Sequence, residues 1–152
     1  MDPEIDFSAL FEQFDTFLLG RRTFELMAGA RKGETPGIKT FVFSRTLRQQ
    51  DYPGVTIVAE GVAETVAALR AEPAPKDIWL AGGGALFRTL LDAALVDTVE
   101  IGVSPLLLGR AGVPLLAVVP PLPQMVRLAL TRSEALPTGL LVLEYAVVAA
   151  PS

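Results

Sequence analysis

The chain has 152 residues, a length that predicts one domain over residues 1–152. Hydrophobic residues make up 51% of it and charged residues 20%, which excludes intrinsic disorder, and the net charge of −4 argues against a nucleic-acid-binding surface. The chain contains neither cysteine nor histidine, so disulfides, thiolate metal sites and histidine-based catalytic triads are excluded. We predict no metal site, and catalysis would need carboxylates, hydroxyls, Lys, Arg, backbone amides or a bound cofactor.

No targeting or membrane signal is visible in the sequence. Residues 1–6 lack the basic and then apolar pattern of a signal peptide, and no apolar run reaches the ~18 residues of a membrane helix. The closest candidate, Val113–Leu122, is interrupted by three prolines. We therefore expect a cytoplasmic protein that does not contact a membrane.

Helical and extended patterns alternate along the first two thirds of the chain. We predict, in chain order, a helix at Ser8–Phe14, a strand at Thr16–Leu19, a helix at Thr23–Ala28, strands at Lys39–Phe43 and Val55–Ala59, a helix at Gly61–Ala71, a strand at Asp77–Leu80, a helix after Gly84 and a strand at Val96–Val103. Apolar spacing predicts the buried faces of the last two helices, namely Val62, Val66 and Leu69 in one and Phe87, Leu91 and Ala94 in the other.

The last third of the chain has a different pattern. A loop rich in Pro, Gly and Leu spans Pro105–Pro123, and two strand-like runs follow, Val126–Leu130 and Leu140–Val148, around a Pro-Thr-Gly turn. Alternating strands and helices predict an α/β fold with a mixed, mainly parallel sheet, and the last two strands predict an antiparallel hairpin at its C-terminal side.

The clearest motif is a triple glycine, Gly82-Gly83-Gly84, between a strand and a helix. Glycine lets a ligand approach the backbone closely, and the start of a helix offers unpaired amides and the positive end of the helix dipole to a phosphate. A tight strand-to-helix turn is the alternative interpretation. The spacing is not that of the G-x-G-x-x-G dinucleotide fingerprint.

A second strand-to-helix junction carries Gly20-Arg21-Arg22-Thr23. Cations at a helix N-terminus oppose the dipole, so they favour a bound anion at that end, although solvated arginines would give the same pattern. With the triple glycine, the chain offers two helix starts suited to one pyrophosphate.

A third motif, Ser44-Arg45-Thr46, follows the strand at Lys39–Phe43. Ligands of open α/β sheets bind at the carboxyl ends of strands, and an arginine there suits the 2′-phosphate of NADP(H), whereas an acidic residue would suit the free ribose of NAD(H). A surface arginine is the alternative. The loop from Pro105 to Gly112 is a further candidate, either for the entrance of a substrate site or for a simple connection.

Five segments in order resemble the dihydrofolate reductase-like superfamily, and within it the RibD C-terminal family of riboflavin-biosynthesis reductases. They are LLGRRTFE, FVFSRT, IWLAGGGALFRTLL, VDTVEIGVSPLLLGRAGVPLL and LLVLEY, and together they span about Asp15–Val148. The resemblance implies a three-layer α/β fold and hydride transfer from NADPH to a pyrimidine- or pteridine-type substrate, such as a phosphoribosylamino-pyrimidine.

The resemblance also implies a set of site residues. The cofactor phosphates would meet Gly20, Arg21, Arg22 and Thr23, and the adenosine 2′-phosphate would meet Ser44 and Arg45. The pyrophosphate would lie on Gly82, Gly83, Gly84, Ala85 and Leu86, with Ala81 near the nicotinamide. A substrate would meet Pro105, Leu108 and Gly109. The sequence identifies no catalytic acid.

One feature of the family is not recognised in this sequence. Family members usually begin with a strand that carries a Ser-x-Asp-Gly-like motif, whereas this chain starts Met1-Asp2-Pro3. We expect a gap in the sheet that is closed by rearrangement or by a partner chain, because unpaired strand edges favour association. We also expect a homodimer.

Two other functions stay open. A non-catalytic nucleotide-binding protein could use the same fold, and the missing strand favours it. A structural or interaction subunit could associate through the apolar segments Val113–Val126 and Leu140–Val148.

Overall fold

A computed structural model describes residues 12–28, 36–74, 76–109, 111–117 and 125–148. The elements are β1 (Phe14–Gly20), α1 (Arg21–Ala28), β2 (Lys39–Phe43), a 3-10 helix (Gln49–Asp51), β3 (Thr56–Val58), α2 (Val62–Ala71), β4 (Asp77–Gly82), α3 (Gly84–Asp92), β5 (Thr98–Val103), β6 (Arg127–Ala135) and β7 (Leu141–Val148). The described residues fall into two compact units. The parallel unit contains those up to Leu95 and Leu115–Ala117, and the antiparallel unit contains the others.

The parallel unit is built on a four-stranded sheet in the order β3-β2-β1-β4. Each neighbouring pair is parallel, and Leu18 of β1 lies between Phe41 of β2 and Leu80 of β4. The inner residues of β1, Thr16–Leu19, are all buried. Burial from both sheet faces explains why β1 reads as a continuous apolar run rather than an alternating one.

Helix α1 is held to this sheet by its aromatic residue. Phe24 is almost fully buried and belongs to a core cluster with Leu19, Val42 and Val55. Its ring meets that of Tyr52 edge to face at 5.2 Å between centroids. Burying a Phe side chain contributes about 1.5–3 kcal/mol. This packing fixes the start of α1 relative to the ends of β1 and β2.

The antiparallel unit contains a three-stranded sheet in the order β5-β7-β6. β6 and β7 form a hairpin whose turn is closed by the Leu136 amide donating to the Leu140 carbonyl at 2.8 Å, and the Gly139 amide donating to the Leu136 carbonyl at 2.8 Å. All nine residues of β6 are exposed, including apolar ones.

The predicted fold is confirmed in its main features. The alternating strands and helices, the parallel sheet and the antiparallel C-terminal hairpin are all present. The parallel and antiparallel strands form two separately hydrogen-bonded sheets. Among the described residues, β4 is an edge strand of the parallel sheet and β5 is an edge strand of the antiparallel sheet. The question of an earlier strand falls on residues 1–11, which lie outside the described residues. The single-domain organisation stays a prediction.

Two local predictions were wrong. Phe14 begins β1 rather than ending a helix, although Glu12 and Gln13 just before it are helical; residues 8–11 of that predicted helix lie outside the described residues. In α3 the buried residues are Leu86, Arg88 and Leu90, whereas Phe87 and Leu91 are half-buried and Ala94 is exposed. The apolar residues of α3 allow more than one buried face, and the bonds of Arg88 to Asp92 and to the Ala117 carbonyl accompany its burial.

Candidate functional site

The two glycine junctions of the parallel unit lie against each other. A Cβ atom placed on Gly20 would lie 3.5 Å from the amide nitrogen of Gly83 and 3.6 Å from the carbonyl oxygen of Gly82. This approach follows from the sheet, because β1 and β4 are parallel neighbours whose carboxyl ends meet at one edge. The starts of α1 and α3 therefore face the same small region.

A hydroxyl group lies at this junction. A Cβ atom placed on Gly83 would lie 3.5 Å from Oγ1 of Thr23, which is in the first turn of α1. Thr23 has no hydrogen-bond partner among the described residues. Its hydroxyl is a donor in addition to the backbone amides of the two helix starts, which have no intrahelical partners.

The triple glycine forms the turn that positions α3. Gly82 has φ +107°, a conformation that side-chain-bearing residues rarely adopt, and the Gly82–Gly83 peptide bond is cis. Gly83 is the N-cap residue of α3 and supplies no side-chain cap. The first amides of α3 are thus left without a side-chain acceptor from their own cap.

The two arginines at the start of α1 differ in their contacts. Arg21 donates from Nη1 to Oγ1 of Thr46 at 3.0 Å and lies 3.7 Å from the Glu25 carboxylate. Arg22 is exposed and makes no hydrogen bond or ion pair with a described residue. The bond to Thr46 connects the start of α1 to the loop after β2. All three sequence motifs therefore lie at the carboxyl ends of the parallel strands.

Ser44 shapes that loop. Its hydroxyl accepts the amides of Thr46 at 3.2 Å and Leu47 at 3.1 Å, and its own amide donates to the Val58 carbonyl at 2.9 Å. Ser44 is buried, whereas Arg45 beside it is exposed and pairs with no described residue. The serine thus fixes the turn that presents the free guanidinium of Arg45.

A cavity of about 360 Å³ lies at the ends of β2 and β3. Its lining comprises Phe43, Ser44, Arg45, Val58, Ala59, Glu60, Gly61 and Val62. It therefore includes the start of α2 and two side chains of opposite charge, Arg45 and Glu60. Sequence reasoning found the arginine but missed Glu60, whose position after β3 was the available signal.

The other predicted residues have different surroundings. Ala81 is half-buried against the core cluster of the parallel unit, Ala85 is exposed, and Leu86 is buried. Pro105, Leu108 and Gly109 lie in the antiparallel unit and are exposed. Pro105 lies next to Gly139, where an added Cβ would be 3.3 Å from its Cγ.

Sequence reasoning also missed an anchored arginine on α3. Arg88 is 6% exposed, donates from Nε to Asp92 at 2.7 Å and donates from Nη1 to the Ala117 carbonyl at 3.1 Å. The Ala117 amide donates to the Gly84 carbonyl at 3.2 Å. These bonds hold Ala117 against the helix that follows the triple glycine.

No group of His, Cys, Asp or Glu residues among the described residues could hold a metal ion. No described helix is long and apolar enough to cross a membrane.

Comparisons with known proteins relate the chain to one protein family and to solved structures of the same fold. The family model of the RibD C-terminal domain matches residues 3–142. An uncharacterized protein of Bacillus subtilis strain 168, YyaP, is 34% identical over 122 residues, which are 72% of this chain. The chain spans 64% of the length of that relative.

Two crystal structures resemble the fold. A candidate riboflavin biosynthesis protein from Shewanella sp. PV-4 has a TM-score of 0.77 and 25% identity, over 98% of this chain and 84% of its own. A pyrimidine reductase-like protein from Corynebacterium diphtheriae has a TM-score of 0.69 and 17% identity, over 90% of this chain and 77% of its own. The second likeness supports the fold alone.

Proposed function

Because the chain belongs to the RibD C-terminal domain family, we propose that it is an NADPH-dependent reductase of a pyrimidine- or pteridine-type substrate. Its reaction would be similar to that of 5-amino-6-(5-phosphoribosylamino)uracil reductase in riboflavin biosynthesis. The observation that carries the proposal is the approach of Gly20 to Gly83, which brings two helix starts to one place. The name of the Shewanella protein, which refers to riboflavin biosynthesis, supports the same class of chemistry.

The residues at this edge fit a dinucleotide with three anionic groups. A Cβ atom on Gly20 or on Gly83 would be in van der Waals contact with the other junction, so the two glycine backbones lie close together. Helix starts stabilise phosphate charge through free amides and the helix dipole. At the cavity, Arg45 offers a guanidinium with no described partner.

Each motif would hold one part of NADPH. The backbones of Gly82, Gly83, Gly84, Ala85 and Leu86, with Gly20, Arg22 and Thr23, would hold the pyrophosphate. Arg45 would hold the 2′-phosphate by a charge-assisted hydrogen bond, and Arg21 and Ser44 would keep the loop in place through Thr46. Ala81 would lie near the nicotinamide.

The bound cofactor would supply the hydride, and the protein would supply position and electrostatics. Holding the hydride donor and the acceptor carbon in near-contact lowers the activation barrier by several kcal/mol. The chain contains no histidine, so a proton for the substrate would come from water or from a carboxylic acid. We propose Pro105, Leu108 and Gly109 as substrate contacts.

The test is the loss of NADPH absorbance with a series of pyrimidine and pteridine substrates, run beside calorimetric binding of NADPH. Turnover with any member of the series supports the reductase. Binding without turnover across the series would favour the non-catalytic nucleotide-binding protein instead. Absence of NADPH binding to the wild-type chain would overturn both functions.

We also propose that the partner of this chain is a second copy. Apolar side chains are exposed on one face of the sheet of the antiparallel unit, namely Val103, Leu128, Leu130 and Leu141. Identical copies bury such a surface by pairing it with itself across a two-fold axis. An exposed apolar sheet face is typical of an association site.

A further inference from the structure

The cavity beside Arg45 contains a second charge that the proposed function does not use. Glu60 lines the same space as Arg45, between the end of β3 and the start of α2. Neither side chain is hydrogen-bonded or ion-paired to a described residue. A free guanidinium and a free carboxylate on the wall of one cavity would act on any ligand that enters it.

The two charges would act in opposite directions on a phosphorylated sugar. A phosphate monoester carries up to two negative charges at neutral pH, so Arg45 attracts it and Glu60 repels it. A sugar hydroxyl or the amino group of a base is a hydrogen-bond donor, and a carboxylate accepts from either. Arg45 therefore favours a phosphorylated ribose, and Glu60 favours an unphosphorylated one.

We propose that Glu60 is a specificity-determining residue of the nucleotide site. Its carboxylate binds a donor group of the adenosine and opposes the 2′-phosphate, so that the ratio of affinities for 2′-phosphorylated and unphosphorylated nucleotides depends on the balance between Glu60 and Arg45. This inference rests on the nucleotide site proposed above and deepens it.

A purely structural role for Glu60, at the N-terminus of α2, is the alternative. Glu60 lies two residues before α2, and an acidic residue near a helix N-terminus stabilises the helix through its dipole. Glu64, in the first turn of α2, is placed for the same role but does not line the cavity. Glu64 is therefore the matched control, because it has the helix-end position without the cavity position.

The experiment measures calorimetric affinities of the full chain for adenosine 2′,5′-bisphosphate and for 5′-AMP, which differ only in the 2′-phosphate. In Glu60→Gln, loss of the negative charge should raise the affinity for the bisphosphate relative to 5′-AMP by roughly three- to tenfold. In Glu60→Asp the ratio should stay closer to that of the wild type. In Glu64→Gln the ratio should change less than in Glu60→Gln, because Glu64 does not line the cavity, although its Oε2 lies 3.6 Å from a Cβ atom placed on Gly61.

Salt gives a second measurement on the same proteins. The change of ratio in Glu60→Gln should shrink as ionic strength rises, because it arises from charge repulsion. An unchanged ratio in Glu60→Gln, or an equal change in Glu64→Gln, would overturn the inference while leaving the nucleotide site intact. Failure of the wild-type chain to bind either nucleotide would overturn both this inference and the proposed cofactor.

Discussion

Gly20 and Gly83 come from strands and turns more than sixty residues apart, yet a Cβ on Gly20 would lie 3.5 Å from the Gly83 amide nitrogen. This distance is an ordinary van der Waals contact, so the backbone does not require a glycine at position 20 for packing alone. In the proposed site, the Gly83 amide beside Gly20 would bind the pyrophosphate. Parallel pairing of β1 with β4 is what brings the two positions together.

Gly20→Ala should weaken NADPH binding while changing the stability of the fold little. The added methyl group fits without a clash, so the free energy of unfolding should change by less than about 1 kcal/mol, but the methyl group covers the Gly83 amide and should weaken NADPH binding about tenfold. Calorimetry and urea unfolding measure the two effects. Gly102→Ala, at a strand glycine of the antiparallel unit, is the control and should leave NADPH binding unchanged. Undiminished binding in Gly20→Ala would contradict the convergence of the two junctions on one ligand.

Gly82→Ala, unlike Gly20→Ala, should lower the stability of the fold. Gly82 has φ +107°, where an alanine is strained, so the substitution should lower the free energy of unfolding by about 1–3 kcal/mol. Trp79 in β4, the only tryptophan of the chain, reports the unfolding of this unit by fluorescence. A stability equal to that of Gly20→Ala would show that the turn relaxes around the new side chain.

Asp92→Asn should destabilise the parallel unit because it removes the carboxylate charge that pairs with the buried Arg88 guanidinium at 2.7 Å. Asp92 is itself 39% exposed, which reduces the loss to about 1.5–3 kcal/mol. The control is Glu25→Gln, which removes the same i,i+4 pairing from Arg21, where both side chains are nearly half exposed, and should cost about 0.5 kcal/mol or less. Urea unfolding compares them, and equal losses would contradict the argument from burial.

Much of the fold followed from the sequence because hydrophobic period and turn residues are local signals. The strand at Lys39–Phe43 was predicted with its observed ends, and α2 differs only by its cap, Gly61. The three motifs were also found, and their meeting place follows from parallel strands ending at one edge. Glu60 was missed because a cavity wall is formed by loops distant in sequence.

The buried face of α3 could not be predicted for a similar reason. The spacing of apolar residues alone predicted Phe87 and Leu91 on the buried face, and an arginine in a sequence is usually predicted to be exposed to solvent. Arg88 is buried because Asp92 and the Ala117 carbonyl satisfy its guanidinium, and the carbonyl belongs to a residue far along the chain. Such a partner is visible only in three dimensions.

Leu130→Lys should prevent the association of two copies. Leu130 is 56% exposed on β6, and a charge there would be buried without a partner if the sheets pair. Light scattering with size exclusion should give a dimer for the wild type and a monomer for Leu130→Lys. Leu107→Lys, on the exposed loop after β5, is the control and should remain dimeric. A wild-type monomer at micromolar concentration would contradict the proposed homodimer.

The most direct measurement is a calorimetric titration of NADPH and NADH into the wild type, Arg45→Ala and Arg48→Ala. We expect one NADPH per chain, with binding weakened by about 1.5–3 kcal/mol in Arg45→Ala and unchanged in Arg48→Ala, while NADH binding is nearly equal in all three. NADPH binding that is the same in Arg45→Ala as in the wild type, or absent from the wild type, would contradict it.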